Sequence, residues 1–405
     1  METIYITSEP QQYLRGDGTI WNPIDCSTRD KFDLFMSGLG TNTFVNLLPG
    51  TYYTRGRQQS GNARAYEFQP KSGWKIHGAG IGQTKIILDI KSSDTTNVDS
   101  NYAIFTTKSG ENHSDIEIKN ITFDLNLTGI SQNLAVGAIH LAGDRNRINN
   151  CEVINWGNKA TNVESFIFRL DAFRHRFPLG ERTGDWQIIE KNIIHKPKQT
   201  SVSAGGCTCI ASFGETSGAS PNHISTKNGM VLIKENLIDG TIIGKDENYS
   251  VQDVKGISIN SVIDADISRN VFSNIKIGGP YQRAFQNHNI SVENNKYYNC
   301  MFGPYFLLGE YSPFYDLLDG GTQEAFSKIK ELYVLDNTFL LSTGNAPLGF
   351  YPTGIVMNSM GRSFIQDSGN NLIRFGFICE RFICRDNNFS WFKKGDRHFC
   401  QIITN

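Results

Sequence analysis

The side chains able to do chemistry are concentrated between residues 140 and 223. His140, Arg169 and Asp171 sit on apolar, strand-like runs, AIHL at 138–141 and FIFRLD at 166–171. Directly after Asp171 comes AFRHRFPLGERTGDW, which carries Phe173, Arg174, His175, Arg176, Phe177 and Arg182. A second polar run, GETSGASPNHISTKNG at 214–229, supplies Glu215 and His223. Guanidinium forks match a carboxylate through paired hydrogen bonds, as on a uronic acid. Cations beside such a carboxylate lower the cost of removing the adjacent proton, with His140, His175 or a desolvated Arg as base. The catalytic candidates are therefore His140, Arg169, Asp171 and His175. The candidates for holding a ligand are Arg174, Arg176, Arg182, Glu215, Phe173 and Phe177. Asp171 and Glu215 are also the visible pair for two-carboxylate glycoside hydrolysis. The aromatics, Tyr311 included, suit sugar stacking with or without catalysis. A solvated network pairing the Arg with Asp171, Glu181 and Asp185 is the purely structural reading of the same residues.

What positions these residues is a repeat. The phrase apolar-x-apolar-x-x-Asn-x-apolar recurs as IIEKNII, VLIKENLI, ADISRNVF, SVENNKY, YVLDNTF and ICRDNNF, with Asn at 192, 236, 270, 295, 337 and 387. Ile118-x-x-Ile121 and Ile148-x-x-Cys151 keep the pattern with another residue in the Asn slot. The spacing, about 25 to 50 residues, fits coils of constant core and variable loops. A second apolar phrase precedes each copy: AIFT, AIHL, FIFRLD, CIAS, GISI, RAFQ, YFLL and GIVM. Each unit then reads as strand, turn, strand, Asn corner, short strand and loop. Asn tolerates the left-handed conformation, and its amide both donates to and accepts from an Asn one coil away. An all-β solenoid, a parallel β-helix, is the fold expected over 43–405. A fixed Asn three residues after an apolar position is not a hairpin signature, which argues against a sandwich or propeller.

The segment 1–42 is expected to cap the solenoid. Ser27-Thr28 can start a helix carrying Phe32, Leu34, Phe35 and Leu39 before Gly40. The strand TFVNLLPGTY and the run WKIHGAGIGQTKIILDI follow, the glycines of the latter suiting a close-packed first coil rather than a phosphate loop. The net charge of −1, with no basic run, argues against nucleic acid as a partner. The absence of a long apolar run argues against a membrane span. Eight cysteines without a CxxC read as reduced core thiols, so no disulfide is expected. Arg145 and Arg147 fall one coil beyond Asp115 and Glu117, where ion pairing explains all four.

Asp17-Gly18, the capping helix, LLPGTY and GAGIGQTKI together resemble the opening segment of the pectate-lyase superfamily. That resemblance implies a right-handed, single-stranded parallel β-helix, and it implies a polysaccharide or oligosaccharide as partner. It includes lyases, polygalacturonase-type hydrolases, epimerases and phage tailspikes, so a lyase acting on an acidic polysaccharide, a hydrolase and a non-catalytic glycan binder all stay open. It also implies that the second phrase walls a groove. Alternation then faces Phe105, His140, Ala211, Ser258, Gln286 and Val356 outward, and with Phe166, Phe168 and Leu170 inward it turns Arg169 and Asp171 outward. No cofactor is expected, Ca²⁺ at Asp264 and Asp266 being the exception the resemblance allows. The acidic Asp-Asp and Gly-His-Gly pattern of polygalacturonases and the calcium-binding Asp set of pectate lyases are not found. Arg176-Phe177-Pro178 with Arg182 is one residue too long for the lyase Arg-x-Pro-x-x-Arg motif. The start METIYITSEPQQYLRGDG carries no signal-like segment. A cytoplasmic chain is expected, or a secreted or phage-associated one if a signal or anchor has been removed.

Overall fold

Short strands that hide one apolar side chain each can build a core only by stacking, and the inward positions of this chain do so in register. A computed structural model describes residues 3–11, 16–58, 67–94, 101–107, 111, 113–161, 163–171, 186–198, 206–213, 228–241, 251–260, 262–283, 287–300, 302–308, 324–340, 355–359, 364–366, 372–389 and 400–403. Among these residues the strands form three sheets of 13, 10 and 11 members. The first sheet takes the strand before the Asn corner, such as Arg147–Asn149 and Gln187–Glu190. The second takes the short strand after it, such as Glu152–Ile154 and Ile193–Ile194. The third takes the longer phrase, including Asn101–Thr106, Ala135–Ala142, Ser165–Asp171 and Cys207–Phe213. Neighbouring strands come from successive coils and pair in parallel. Among the described strands, only Arg57–Gln58 and Phe364–Gln366 pair antiparallel, besides a single antiparallel bridge between Ala135 and Asn158. The fold is the right-handed parallel β-helix expected.

In the first sheet Ile76, Ile118, Ile148, Ile189, Ile233, Ile267, Val292 and Val334 lie directly above one another and are fully buried. Branched side chains pack well on such a pleated surface, which explains the monotony of the row. In the second sheet Phe272, Tyr297 and Phe339 stack ring on ring, with centroids 5.0 and 4.8 Å apart.

The corner between these sheets is the Asn ladder. Asn192, Asn236, Asn270, Asn295, Asn337 and Asn387 are linked in that order. Each Oδ1 accepts both the backbone N–H and the Nδ2 of the Asn one coil before, at 2.9–3.1 Å. Each Nδ2 also donates to a main-chain carbonyl of the preceding coil, as Asn270 does to Ile233 at 2.8 Å. Cys151 occupies the slot at the head of the ladder, where its N–H donates to Asn192 Oδ1. One detail differs from expectation. The left-handed residue is the one before each Asn, namely Lys191, Glu235, Arg269, Asn294, Asp336 and Asp386, with φ between 54° and 59°. The ladder amides thus turn inward while the strained residue carries its side chain to the surface.

At the N-terminal end the helix Arg29–Gly38 is capped by Thr28, which accepts from Lys31 N–H. Phe32, Met36 and Leu39 are buried, one helical face at three- and four-residue spacing. Leu34, assigned to that face from sequence, is 55% exposed because it lies two residues off it. Asp33 is buried instead and accepts from Thr54 Oγ1 (2.6 Å) and Arg55 Nη1 (2.9 Å). The segment 1–42 also adds the strand Thr3–Thr7 to the first sheet, paired with Phe44–Leu47. Cys26, Cys151, Cys207, Cys209 and Cys300 are buried free thiols, and Cys384 is exposed. Among the described residues no helix is long and apolar enough to cross a membrane.

Candidate functional site: the outer face of the third sheet

The third sheet departs from simple alternation at one level in five successive coils. Its ladders pair Gly137 with Ala103 and then Ile139 with Phe105, passing over Ala138 and Ile104. They pair Phe166 with Thr208 and then Phe168 with Ile210, and Thr208 with Lys255 and then Ile210 with Ile257. Both the skipped residue and the next one, such as Ile167 and Phe168, join the core. The strand therefore bends there, and its facing reverses by one residue. After the bend the outward row is Thr106, His140, Arg169, Ala211, Ser258, Tyr281 and Tyr305.

Two sequence assignments change as a result. Phe105 is a core residue whose ring packs against Phe68 and Phe123, and Thr106 takes the outward place. Phe166 lies outside the core cluster and meets Phe213 at 5.6 Å between centroids. Gln286 is outside the described residues, and Tyr281 holds the outward position of its coil. Arg169 and Asp171 do face outward, as alternation after the bend requires.

The row is nevertheless largely covered. Thr106, Ala211 and Ser258 are buried, and His140 is 3% exposed, so His140 does not line an open groove as expected. Its Nε2 lies 2.6 Å from the carbonyl of Phe166, which accepts only, so the proton is on Nε2 and Nδ1 presents a lone pair. Burial pushes the imidazole down to about 4, with Arg169 adding in the same direction and the Phe166 carbonyl opposing. Gly137 is required here, since a Cβ would come within 2.4 Å of His140 Nε2 and 2.1 Å of the Phe166 carbonyl oxygen. Arg169 rests in a corner of two rings, its guanidinium carbon 4.8 Å from the Phe166 centroid and 5.1 Å from that of Phe213. Its Nη2 donates to Asp171 Oδ2 at 2.7 Å. About a fifth of each of these two side chains remains exposed.

Further along the face is a second group that sequence reasoning missed. Glu164 accepts from Thr208 Oγ1 (2.6 Å) and from Lys255 Nζ (2.8 Å), tying together three coils. The same ammonium sits 4.8 Å from the Tyr281 ring centroid. Tyr281 stacks on Tyr305 at 5.8 Å, and Phe302 meets Tyr305 edge-on at 5.0 Å. The only signal for it was the position of Glu164, Thr208 and Lys255 just before the apolar phrases, on the side of the bend that straight alternation misassigns.

Phe173, Arg174, His175, Arg176, Phe177 and Arg182, together with Glu215, His223 and Tyr311, lie outside the described residues. Asp264 and Asp266 lie on the first sheet, away from this face, and Asp264 Oδ1 accepts from Asn289 Nδ2 at 2.7 Å. Ca²⁺ requires six to eight oxygens. Among the described residues no group of three or more carboxylate, His or Cys side chains is placed to hold a metal. Asp115 and Arg145 pair through two contacts of 2.7 Å as expected, whereas Arg147 turns to Glu190 rather than Glu117.

Neither a family model nor a curated protein matches the sequence. Among solved structures, the A-module of the mannuronan C-5 epimerase AlgE4 of Azotobacter vinelandii is 12% identical with a TM-score of 0.30, covering 89% of this chain and 92% of that one. Pectate lyase Pel9A is 10% identical with a TM-score of 0.28, covering 95% of this chain and 79% of that one. A Geobacillus virus E2 protein, ORF18, is 10% identical with a TM-score of 0.27, covering 84% of this chain and 61% of that one. At these values the likeness says nothing about which residues act.

Proposed function

We propose that the outer face of the third sheet binds an acidic polysaccharide, and that the reaction it serves is β-elimination at a uronate. The observation that carries this reading is the repeated seating of a cation on an aromatic ring along one face. Arg169 lies against Phe166 and Phe213, and Lys255 lies on Tyr281 beside Tyr305. Rings suit the faces of sugar units, and cations between them suit carboxylates at intervals along the polymer. The sequence directly after Asp171 also carries Arg174, His175, Arg176 and Arg182.

Elimination needs a neutral base; His140 is 3% exposed and tied to the Phe166 carbonyl, so the base assigned is His175, which the sequence carries after Asp171. A hydrolase would need one carboxyl held protonated as general acid. The described carboxylates here, Asp171 and Glu164, are each ion-paired, which disfavours that route. The test is incubation with uronate-containing and neutral polysaccharides, following unsaturated-uronate absorbance and reducing ends together. Both signals, on acidic polymers only, are expected. Reducing ends without absorbance would replace elimination by hydrolysis. Failure to bind any acidic polysaccharide would overturn the proposal.

A further inference from the structure

Nine buried side-chain polar atoms among the described residues have no hydrogen-bond partner, and three of them gather in one place. These are His140 Nδ1, Arg169 Nε and Asp171 Oδ1. His140 and Arg169 are partners across adjacent strands, and Asp171 is ion-paired with Arg169 from two residues along the same face. The His140 ring and the Arg169 guanidinium both lie against Phe166. Buried polar groups are almost always satisfied, so three orphans in one cluster point to a ligand.

Their chemistry identifies its class. With the Nε2 proton given to the Phe166 carbonyl, His140 offers a lone pair, and Asp171 Oδ1 also offers lone pairs. Arg169 Nε offers one hydrogen. A carboxylate, sulfate or phosphate brings acceptors only, so it would satisfy Arg169 alone and meet Asp171 with like charge. A metal cation would leave the Arg169 hydrogen unused. An O–H oxygen fits, because it accepts from Arg169 Nε and donates to His140 Nδ1 or Asp171 Oδ1. Water satisfies all three atoms, and so does a vicinal diol.

We infer that His140, Arg169 and Asp171 form a hydroxyl-recognising subsite, filled by water in the free protein and by the neutral hydroxyls of a glycan when one is bound. The second half rests on the glycan-binding reading above and sharpens it, since it assigns carboxylate recognition to Lys255 and the cations after Asp171 rather than to Arg169. Access is from the Arg169–Asp171 side, where both side chains remain partly exposed.

The test uses the full chain with ¹⁵N-labelled histidine, His140 being identified by the signal missing in His140→Gln. At neutral pH the long-range proton–nitrogen spectrum should show a neutral ring protonated on Nε2, with Nδ1 at the shift of a hydrogen-bonded acceptor. Methyl glucoside should move the Nδ1 signal, and sodium sulfate should not. Arg169→Lys keeps the charge but removes the Nε–H, and it should abolish the glucoside response. An Nδ1 proton, an unbonded lone-pair shift, or a response to sulfate instead of glucoside would overturn the subsite. A hydrogen-bonded Nδ1 that glucoside leaves unmoved would confirm water and overturn the glycan role. If acidic polysaccharides fail to bind while methyl glucoside still moves Nδ1, the earlier proposal falls and this one stands.

Discussion

The Asn corner and the outer face of the third sheet are built on the same coils and obey opposite rules. At the corner, six coils in succession carry the same residue, and each ladder amide from Asn192 to Asn337 finds its acceptor in the next coil. On the outer face the residue changes at every coil from Thr106 to Tyr281, and three polar atoms of one small group have no partner. Repetition with full satisfaction is what a scaffold needs, because one misfit amide is felt by both neighbours. Variation with incomplete satisfaction costs stability and is retained where a ligand completes it. On the proposal above, the difference separates the part of the molecule that holds shape from the part that meets a ligand.

The comparison breaks most visibly if the corner proves dispensable. Replacing Asn270 by Leu leaves Asn236 N–H without its acceptor, takes the Asn270 side-chain donor from the Ile233 carbonyl, and removes one of the two bonds of Asn236 Nδ2 and of Asn295 Oδ1. With buried orphans costing about 1–3 kcal/mol each and partly relaxing, the loss should be about 3 kcal/mol or more by denaturant unfolding. An unchanged midpoint would mean that the ladder is ornament.

Acid should find the outer face as well. His140 has a folded value of about 4 against an ordinary 6.5, set mainly by burial. Its contribution is therefore present above about 6.5 and is lost as pH falls toward 4, at most about 3 kcal/mol for a shift of this size. His77 is lowered to about 4 by burial and acts in the same window, less strongly because it is only half buried. Asp33, raised to about 6 by burial, acts with opposite sign, its contribution being lost as pH rises through 6. Comparing the chain with His140→Gln isolates the first term. The two stability curves should converge as pH drops from 6.5 to 4, and parallel curves would place His140 in a wetter setting than this one.

On the ligand side, Lys255→Met removes one cation while leaving its aliphatic stem against Tyr281. Binding of an acidic polysaccharide should weaken about tenfold, equivalent to about 1.4 kcal/mol. The defect should shrink with added salt, since exposed attractions are screened over about 10 Å at 0.1 M. Equal weakening toward a neutral polymer would show that stacking, rather than charge, is what was lost.

The regular half of the molecule could be read from sequence, and the irregular half could be read only in part. The Asn slot, the apolar pair before it and the capping helix follow from spacing, because each coil repeats the same physical demand. The outward row was misassigned at Phe105 and Phe166 because alternation assumes a straight strand, and the bend beside Ile104 and Ile167 adds one inward residue. Nothing at those positions marks the bend, as Ile, Ala, Cys and Gly all occupy it. Glu164, Thr208 and Lys255 were missed for the same reason, being close in space only across three coils.

The smallest expected effect lies one residue from the largest. Arg269 precedes Asn270, holds the left-handed conformation at φ 55°, and extends a side chain that is 56% exposed toward Glu235 at 2.9 Å. An ion pair this exposed contributes about 0–1 kcal/mol. A residue with a Cβ carries a conformational penalty of about 1–2 kcal/mol in that region, and glycine does not. Arg269→Ala keeps the penalty and loses the pair, so it should destabilise by about 0.5 kcal/mol or less. Arg269→Gly loses both, although its unfolded chain gains freedom, so it should fall within about 0.5 kcal/mol of the parent on either side. Thermal or denaturant unfolding of these variants beside Asn270→Leu would put the two extremes of the corner in adjacent residues. If Arg269→Ala instead cost as much as Asn270→Leu, the surface charges would be part of the scaffold, and the division between a repeated, satisfied interior and a free exterior would not hold at this corner.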